Sequence, residues 1–294
     1  MASVALDYAI SSGLKRMNDY RFETWNDIVE SNINADILIM GNSRAFSHFS
    51  PKILDSVLHT NSYNLGIGGH PFNIQYLRYK VYEEHNKLPK VIIQNVDFFT
   101  IQTANIGHER EQVFPYIRDS IFRNNLTNLG FSWAEINLPL FRYFGYQLVI
   151  KNGLMEFFHL HHYHNQSSEK GYRPETGKWN PTALNKLENI ESVVDSKALN
   201  LFENFLDDCN HKHIRVVLVY SPLYFKAMQK LRDKEKFDIL FHNLSNKYAI
   251  PYLDYSHDSI CMDSTYFKVA IHLNKRGAEL FSTQLAKDLK LILK

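Results

Sequence analysis

Five short apolar runs alternate with helical patterns along this chain, and the alternation limits its fold more than any other feature. The runs are residues 35–40, 62–65, 91–95, 214–220 and 250–254. Each ends at or just before a glycine, a proline or a polar residue, as buried parallel strands do. Strands that alternate with helices form a parallel sheet with helices on both faces. The sequence therefore predicts a three-layer α/β/α sandwich around a five-stranded, mainly parallel sheet.

Helical patterns fill most of the sequence between these runs. Helices are expected over residues 3–30, after Ser50 and Pro71, at 196–210, at 223–247 and from Asn274 onward. Residues 100–195 break the pattern, because they are rich in aromatic residues, His and Asn and show no steady period. We predict one domain over residues 1–294, with an N-terminal helical segment at 1–30. Residues 100–195 form a large insertion after the third strand, which we interpret as a lid.

Charge and hydropathy exclude several classes of protein. The 33 basic and 31 acidic residues form no basic block, so nucleic acid is not an expected partner. No stretch approaches the roughly 20 apolar residues of a membrane span. The first residues lack the features of a signal peptide, and we hypothesise a membrane anchor upstream of Met1. Cys209 and Cys261 fit either one disulfide or two buried thiols.

Four polar segments follow the predicted strands or lie near the C-terminus. They are residues 41–44, 66–69, 94–97 and 263–272. In a parallel sheet, ligands gather at the carboxyl ends of the strands. A serine or a glycine after one strand is common, but the order and placement of all four segments together indicate a functional site.

These segments resemble the SGNH or GDSL hydrolases. Gly-Asn-Ser at 41–43 resembles the family's Gly-Asp-Ser block, and Asn-Leu-Gly-Ile-Gly-Gly at 64–69 resembles its second block. The ending His-Leu-Asn-x-x-Gly-Ala, from His272, is the most specific part. Ser-Arg-Ala at 43–45, with Ser-Pro at 221–222, is similar to a branch of bacterial cell-surface proteins. That branch is related to alginate O-acetylation factors and to the D-alanyl transfer protein of teichoic acids.

The resemblance covers residues 35–100 and 196–294, and it implies a flavodoxin-like sheet and acyl chemistry. Ser43 attacks an ester carbonyl, and His272 accepts its proton and returns it to the leaving group. The backbone N–H groups of Ser43 and Gly69, with the side-chain amide of Asn95, stabilise the oxyanion. No cofactor or metal is implied. The implied partner is an acylated glycan or another small ester outside the cytoplasm, in the periplasm or at the cell envelope.

One departure from the family leaves two functions open. Val269 stands three residues before His272, where the family has an aspartate that orients the imidazole. Loss of that carboxylate costs about four orders of magnitude in other triads. Asp263 is the nearest upstream substitute, and Asp254 and Asp258 are others. The chain is thus either a serine-dependent esterase or O-acyltransferase, or a non-catalytic relative that binds a glycan or a partner protein.

Two further features have alternative interpretations. Arg44 either binds an anionic substrate or pairs with an acidic neighbour and fixes the loop. The histidines of residues 159–164 have spacings that suit zinc. No carboxylate or cysteine clusters with them in the sequence. We therefore favour exposed loop histidines and expect no metal.

Overall fold

The computed structural model describes residues 1–102, 106–107, 109–160, 168–182, 184, 194–231 and 234–293. Its main sheet is built from β1 (Ile37–Met40), β2 (Ser62–Asn64), β3 (Val91–Asn95), β4 (Arg215–Tyr220) and β5 (Tyr252–Asp254). Their spatial order is β2-β1-β3-β4-β5, and every neighbouring pair is parallel. This is the flavodoxin-like order. The prediction of a five-stranded parallel α/β fold is confirmed.

A small antiparallel hairpin lies outside the main sheet. It joins β6 (Phe267–Val269) to β7 (His272–Leu273). The predicted elements contained no such hairpin, because two- and three-residue strands are too short to show a period. It matters for the site, since His272 is the first residue of β7.

The helices are numbered along the chain. The described residues contain α1 (Ala2–Arg16), α2 (Tyr20–Val29), α3 (Ser43–His48), α4 (Pro51–Leu58), α5 (Phe72–His85), α6 (Ser120–Leu126), α7 (Trp133–Asn137), α8 (Gln147–Phe157), α9 (Ser196–His211), α10 (Phe225–Met228), α11 (Lys234–Tyr248) and α12 (Lys275–Ile292). The single helix predicted over 223–247 is therefore two helices, α10 and α11. The described part of residues 100–195 contains α6, α7 and α8, which its irregular pattern did not predict.

Both faces of the main sheet are covered, because its strands are apolar throughout. Every residue of β1 and β3 is buried. On one face, strand residues such as Ile39 and Val219 share a core with Leu54 of α4 and Phe281 of α12. The intervening strand residues are buried as well, and α9 contacts β4. The three-layer arrangement predicted from the sequence follows from this burial.

The chain forms two compact units. The first contains Met1–Ile33, Leu77–Asn86 and Ala104–Ser168, and the second contains Asn34–Tyr76, Lys87–Thr103 and Glu169–Lys294. The main sheet and the hairpin belong to the second unit. The single domain and the lid role of residues 100–195 stay predictions.

The first unit is helical and has its own interior. Trp25 packs on Phe122 with ring centroids 4.8 Å apart. A buried ion pair joins the carboxylate of Asp7 to the guanidinium of Arg142, with two contacts of 2.7 Å. Bidentate pairs of this kind fix the geometry of the elements that carry them. They link α1 to the chain just before α8.

Candidate active site

The segment that carries Ser43 lies directly after β1, at the carboxyl end of the sheet. Gly41 has a φ of 148°, which favours glycine, and a Cβ there would lie 2.6 Å from the Cβ of Ala45. Asn42 caps α3, because its side chain accepts a hydrogen bond of 3.0 Å from the backbone N–H of Arg44. Ser43 is thereby fixed as the first residue of α3.

Ser43 and His272 meet across a sequence separation of 229 positions. The distance between Ser43 Oγ and His272 Nε2 is 2.8 Å. This is the hydrogen-bond distance expected between a nucleophile and its general base. The structure therefore brings together the two residues that the sequence predicted to do the chemistry.

His272 is neutral at physiological pH. Burial and, to a smaller extent, the positive charge of Arg44 together lower the pKa of its imidazole to about 4. A neutral ring offers an unprotonated nitrogen to the Ser43 hydroxyl. The low pKa also means that an imidazolium at this position would receive little stabilisation from its surroundings.

The motif His-Leu-Asn-x-x-Gly-Ala ties the hairpin to α12. Asn274 caps α12 by accepting a 3.0 Å hydrogen bond from the backbone N–H of Gly277. Its side-chain amide donates to the carbonyl of Thr265 at 2.7 Å. A Cβ on Gly277 would lie 2.2 Å from the carbonyl oxygen of Tyr266, so only glycine fits. The motif thus fixes the residues on either side of the hairpin.

Val269 lies where a residue that orients the His272 ring would lie, but its side chain cannot form a hydrogen bond. Val269 in β6 is the cross-strand partner of His272 in β7, and directly opposed side chains share one face of a hairpin. Valine has neither a charge nor an acceptor. Among the described residues, no hydrogen bond reaches Nδ1 of His272.

Asp263 does not replace the missing carboxylate. Its side chain is exposed and accepts a 2.8 Å hydrogen bond from the backbone N–H of Thr265, which lowers the pKa of the carboxyl. Asp254 and Asp258 also accept backbone N–H groups, each two residues ahead. None of these three carboxylates hydrogen bonds to His272 within the described chain. The predicted pairing of Asp263 with His272 is therefore not formed, because Asp263 caps a turn instead.

Arg44 is buried and occupied. Its Nη1 lies 3.5 Å from the carboxylate of Asp97, and its Nε donates to Ser221 Oγ at 3.1 Å. Its Nη2 donates to the carbonyl of Ser221, and the guanidinium lies 4.5 Å from the ring centroid of Tyr220. Of the two interpretations, the structure supports pairing with an acidic neighbour. It does not support Arg44 as a substrate-binding residue, because the guanidinium is engaged inside the protein.

Asn42 has a role that an aspartate could not fill. Its Nδ2 donates a 2.7 Å hydrogen bond to the carboxylate of Asp97, while its Oδ1 caps α3. Asp97 is buried, which raises the pKa of its carboxyl, although Arg44 and Asn42 oppose that shift. An ionised aspartate at position 42 is acceptor-only and would oppose a second carboxylate. The asparagine in Gly-Asn-Ser thus supplies the hydrogen-bond donor that the buried carboxylate of Asp97 requires.

The two further oxyanion candidates, Gly69 and Asn95, differ in their environment. Gly69 is exposed with a φ of 72°, and the described residues show no acceptor for its N–H or for that of Ser43. Asn95 is buried at the end of β3, and neither its Oδ1 nor its Nδ2 has a hydrogen-bond partner in the described structure. No hydrogen bond within that structure joins either residue to Ser43. Their oxyanion role stays a prediction.

Sequence reasoning missed His48 and underestimated Ser221. His48 is fully buried in α3, and its Nδ1 lies 3.1 Å from Ser221 Oγ. Its Nε2 lies 3.0 Å from the backbone nitrogen of Leu273, the residue after His272. The signal in the sequence is the spacing of Arg44 and His48, which are four residues apart and share one face of a helix. That signal requires α3, which the sequence did not predict.

No hydrogen bond within the described residues joins the remaining predicted features to Ser43 or His272. His159 is exposed, and residues 161–164 lie outside the described residues. Across the described ranges, no group of three His, Cys, Asp or Glu residues is placed to hold a metal ion. Within the same ranges, no helix has the length and apolar content that a bilayer crossing requires. Cys209 and Cys261 are both buried free thiols.

Comparisons with known proteins return structural neighbours of low sequence identity. No family model matches the chain, and no curated protein matches it. A candidate acylhydrolase from Bacteroides fragilis is 12% identical with a TM-score of 0.40, over 86% of this chain and 87% of its own. A candidate platelet activating factor from Streptococcus pneumoniae is 12% identical with a TM-score of 0.46, over 96% of this chain and 94% of its own.

Proposed function

We propose that this protein is a serine-dependent esterase or O-acyltransferase of the SGNH type. The observation that carries the proposal is the 2.8 Å hydrogen bond between Ser43 Oγ and His272 Nε2. It lies at the carboxyl end of β1, where parallel sheets place their ligands. Ser43 opens a helix, and a neutral imidazole faces its hydroxyl.

The reaction proceeds through an acyl-enzyme. Ser43 Oγ attacks the ester carbonyl while His272 Nε2 takes the hydroxyl proton, and a tetrahedral oxyanion forms. The N–H of Ser43 donates to that oxyanion, with Gly69 and Asn95 as the further donors. The bond to the leaving oxygen breaks as His272 returns the proton to it. Water or a sugar hydroxyl then resolves the acyl-enzyme by the reverse sequence, which gives hydrolysis or transfer.

The substrate in this proposal is an acylated glycan or another cell-surface ester, outside the cytoplasm. The support is the Ser-Arg-Ala sequence at 43–45 together with Ser-Pro at 221–222, which resembles the O-acyl transfer branch. Arg44 and Ser221 are joined by two hydrogen bonds. These two motifs therefore form one buried unit beside Ser43.

A fluorophosphonate probe and p-nitrophenyl acetate test the proposal. The wild-type protein should be labelled and should release nitrophenol. Ser43→Ala should lose all labelling, and His272→Ala should lose labelling by about three orders of magnitude. Ser56→Ala is the matched control, because Ser56 is an exposed serine of α4. Labelling that survives in Ser43→Ala would assign the nucleophile to another residue.

The second candidate is a non-catalytic protein that binds a glycan or a partner protein in the same place. The observation that favours it is Val269, which leaves His272 without an orienting carboxylate. An unlabelled wild-type protein that still binds an acylated glycan would decide for this alternative. Binding should then respond to Ser43→Ala only weakly, because no covalent step is involved.

A further inference from the structure

His48 occupies an unusual position between the two halves of the site. It is the last residue of α3, the helix that Ser43 opens. Its ring lies edge-on to the ring of His272, with centroids 6.1 Å apart. Its Nε2 is 3.0 Å from the backbone nitrogen of Leu273. One side chain of the nucleophile's helix therefore contacts the backbone of the strand that carries the base.

The hydrogen bonds fix the tautomer of His48. The Leu273 N–H is only a donor, so Nε2 must be an unprotonated acceptor. The ring proton then lies on Nδ1, which donates to Ser221 Oγ at 3.1 Å. Ser221 Oγ also accepts from Arg44 Nε. Both ring nitrogens are thus satisfied by partners that are themselves held in place.

We propose that His48 is a positioning residue that holds β7 so that the His272 ring stays over Ser43. In complete triads, a carboxylate hydrogen bonds to the ring of the base and orients it. Here the ring lacks that bond, and the backbone one residue further on is anchored instead. The inference rests on the proposed function. A displacement of about 1 Å in such a pair costs about 100-fold in rate.

The surroundings of His48 keep it in the required form. Burial lowers the pKa of its imidazole well below the usual range, and the positive charge of Arg44 acts in the same direction. A neutral His48 accepts the Leu273 N–H, whereas a protonated ring would present a second donor to it.

Two substitutions of His48 and one control test the proposal. His48→Leu removes the acceptor for Leu273 N–H, whereas His48→Gln retains an acceptor near the position of Nε2. Ser282→Ala is the matched control. Ser282 is equally buried and donates to the backbone carbonyl of His48, and no hydrogen bond within the described residues joins it to the His48 ring.

We expect His48→Leu to lower kcat for p-nitrophenyl acetate about 10- to 100-fold with KM within about twofold. Hydrogen exchange of the Leu273 amide should accelerate at least about tenfold in this variant. His48→Gln should restore kcat to within about fivefold of wild type and restore Leu273 protection. Ser282→Ala should lower the unfolding temperature and leave kcat and Leu273 protection unchanged.

Each contrary result has a definite meaning. The proposal fails if His48→Leu keeps wild-type kcat and a protected Leu273 amide, or if His48→Gln is as slow as His48→Leu. If His48→Leu does not fold, the kcat of His48→Gln and a scalar coupling between Leu273 N and His48 Nε2 in the wild type decide. If the wild type reacts with neither the ester nor the probe, the proposed function is wrong, but the role of His48 is still open to test. Leu273 exchange and the coupling then still show whether His48 anchors β7.

Discussion

The two residues of the candidate site are held by opposite means. Ser43 lies in a polar and charged setting, where Asn42, Asp97 and Arg44 form a buried network around the start of α3. His272 lies on a two-residue strand opposite a valine, and its ring has one hydrogen bond in the described structure, to Ser43. Several side-chain hydrogen bonds thus hold the segment that carries Ser43. The position of His272 depends instead on contacts to the backbone of its strand.

This difference predicts which substitutions change activity and which change stability. A buried network with satisfied partners is costly to disturb, because each unpaired group then carries its desolvation penalty. A base without a charged partner costs little stability but limits rate. Substitutions of the network residues Asn42, Asp97 and Arg44 should therefore change mainly the free energy of unfolding. Substitutions on the His272 side should change the rate first.

Among the substitutions that test this comparison, the largest change is expected from Val269→Asp, which removes the asymmetry by giving His272 a carboxylate. The new charge should raise the pKa of His272 and stabilise its imidazolium. The rate of fluorophosphonate labelling should rise by about 100-fold or more. Val269→Asn is the control of equal size without charge, and it should change the rate less than about tenfold. Equal rates for the two variants would show that position 269 does not face the ring.

Asn42→Asp changes the network around Ser43 and should lower the free energy of unfolding. It places a second carboxylate against buried Asp97, so one of the two must take up a proton or lose its burial. We expect a loss of about 2–4 kcal/mol in the free energy of unfolding, measured in urea at pH 7.5. The exchanged pair Asn42→Asp with Asp97→Asn should recover at least half of that loss. A single variant as stable as wild type would contradict the network.

The smallest effect concerns pH. Because the pKa of His272 is about 4, its base form is complete at pH 6. The labelling rate should rise as the pH increases through about 4 and change less than about twofold between pH 6 and pH 8. In Val269→Asp the rise should move to higher pH. A midpoint of the wild-type pH profile near 6.5 would indicate that water reaches the His272 ring and that its pKa is not lowered.

The sheet could be predicted because its strands are short, apolar and ended by turn residues. The run at 214–220 corresponds to β4, and the run at 91–95 coincides with β3. The helices of residues 100–195 could not be predicted. They are between five and eleven residues long, and packing rather than periodicity determines such short segments. The hairpin of β6 and β7 is shorter still.

Only the site residues that lie within recognisable sequence motifs could be predicted. Ser43 and His272 stand in recognisable segments, and the structure places them in contact. Asp263 was expected as the third residue of a triad because it is a nearby carboxylate. Instead, its side chain accepts a hydrogen bond from the backbone N–H of Thr265 in its own turn. His48 was missed because its spacing from Arg44 has meaning only within α3, a six-residue helix that the sequence did not predict. Its partners, Ser221 and Leu273, are 173 and 225 positions away.

The six residues of α3 have one further consequence. They contain both the nucleophile and the side chain that anchors the strand of its base, although that base lies 229 positions further along the chain. Insertions or deletions in the intervening sequence leave this hexapeptide intact. The intervening sequence could therefore be lengthened or replaced during evolution, while Ser43 and the anchor of its base are inherited together.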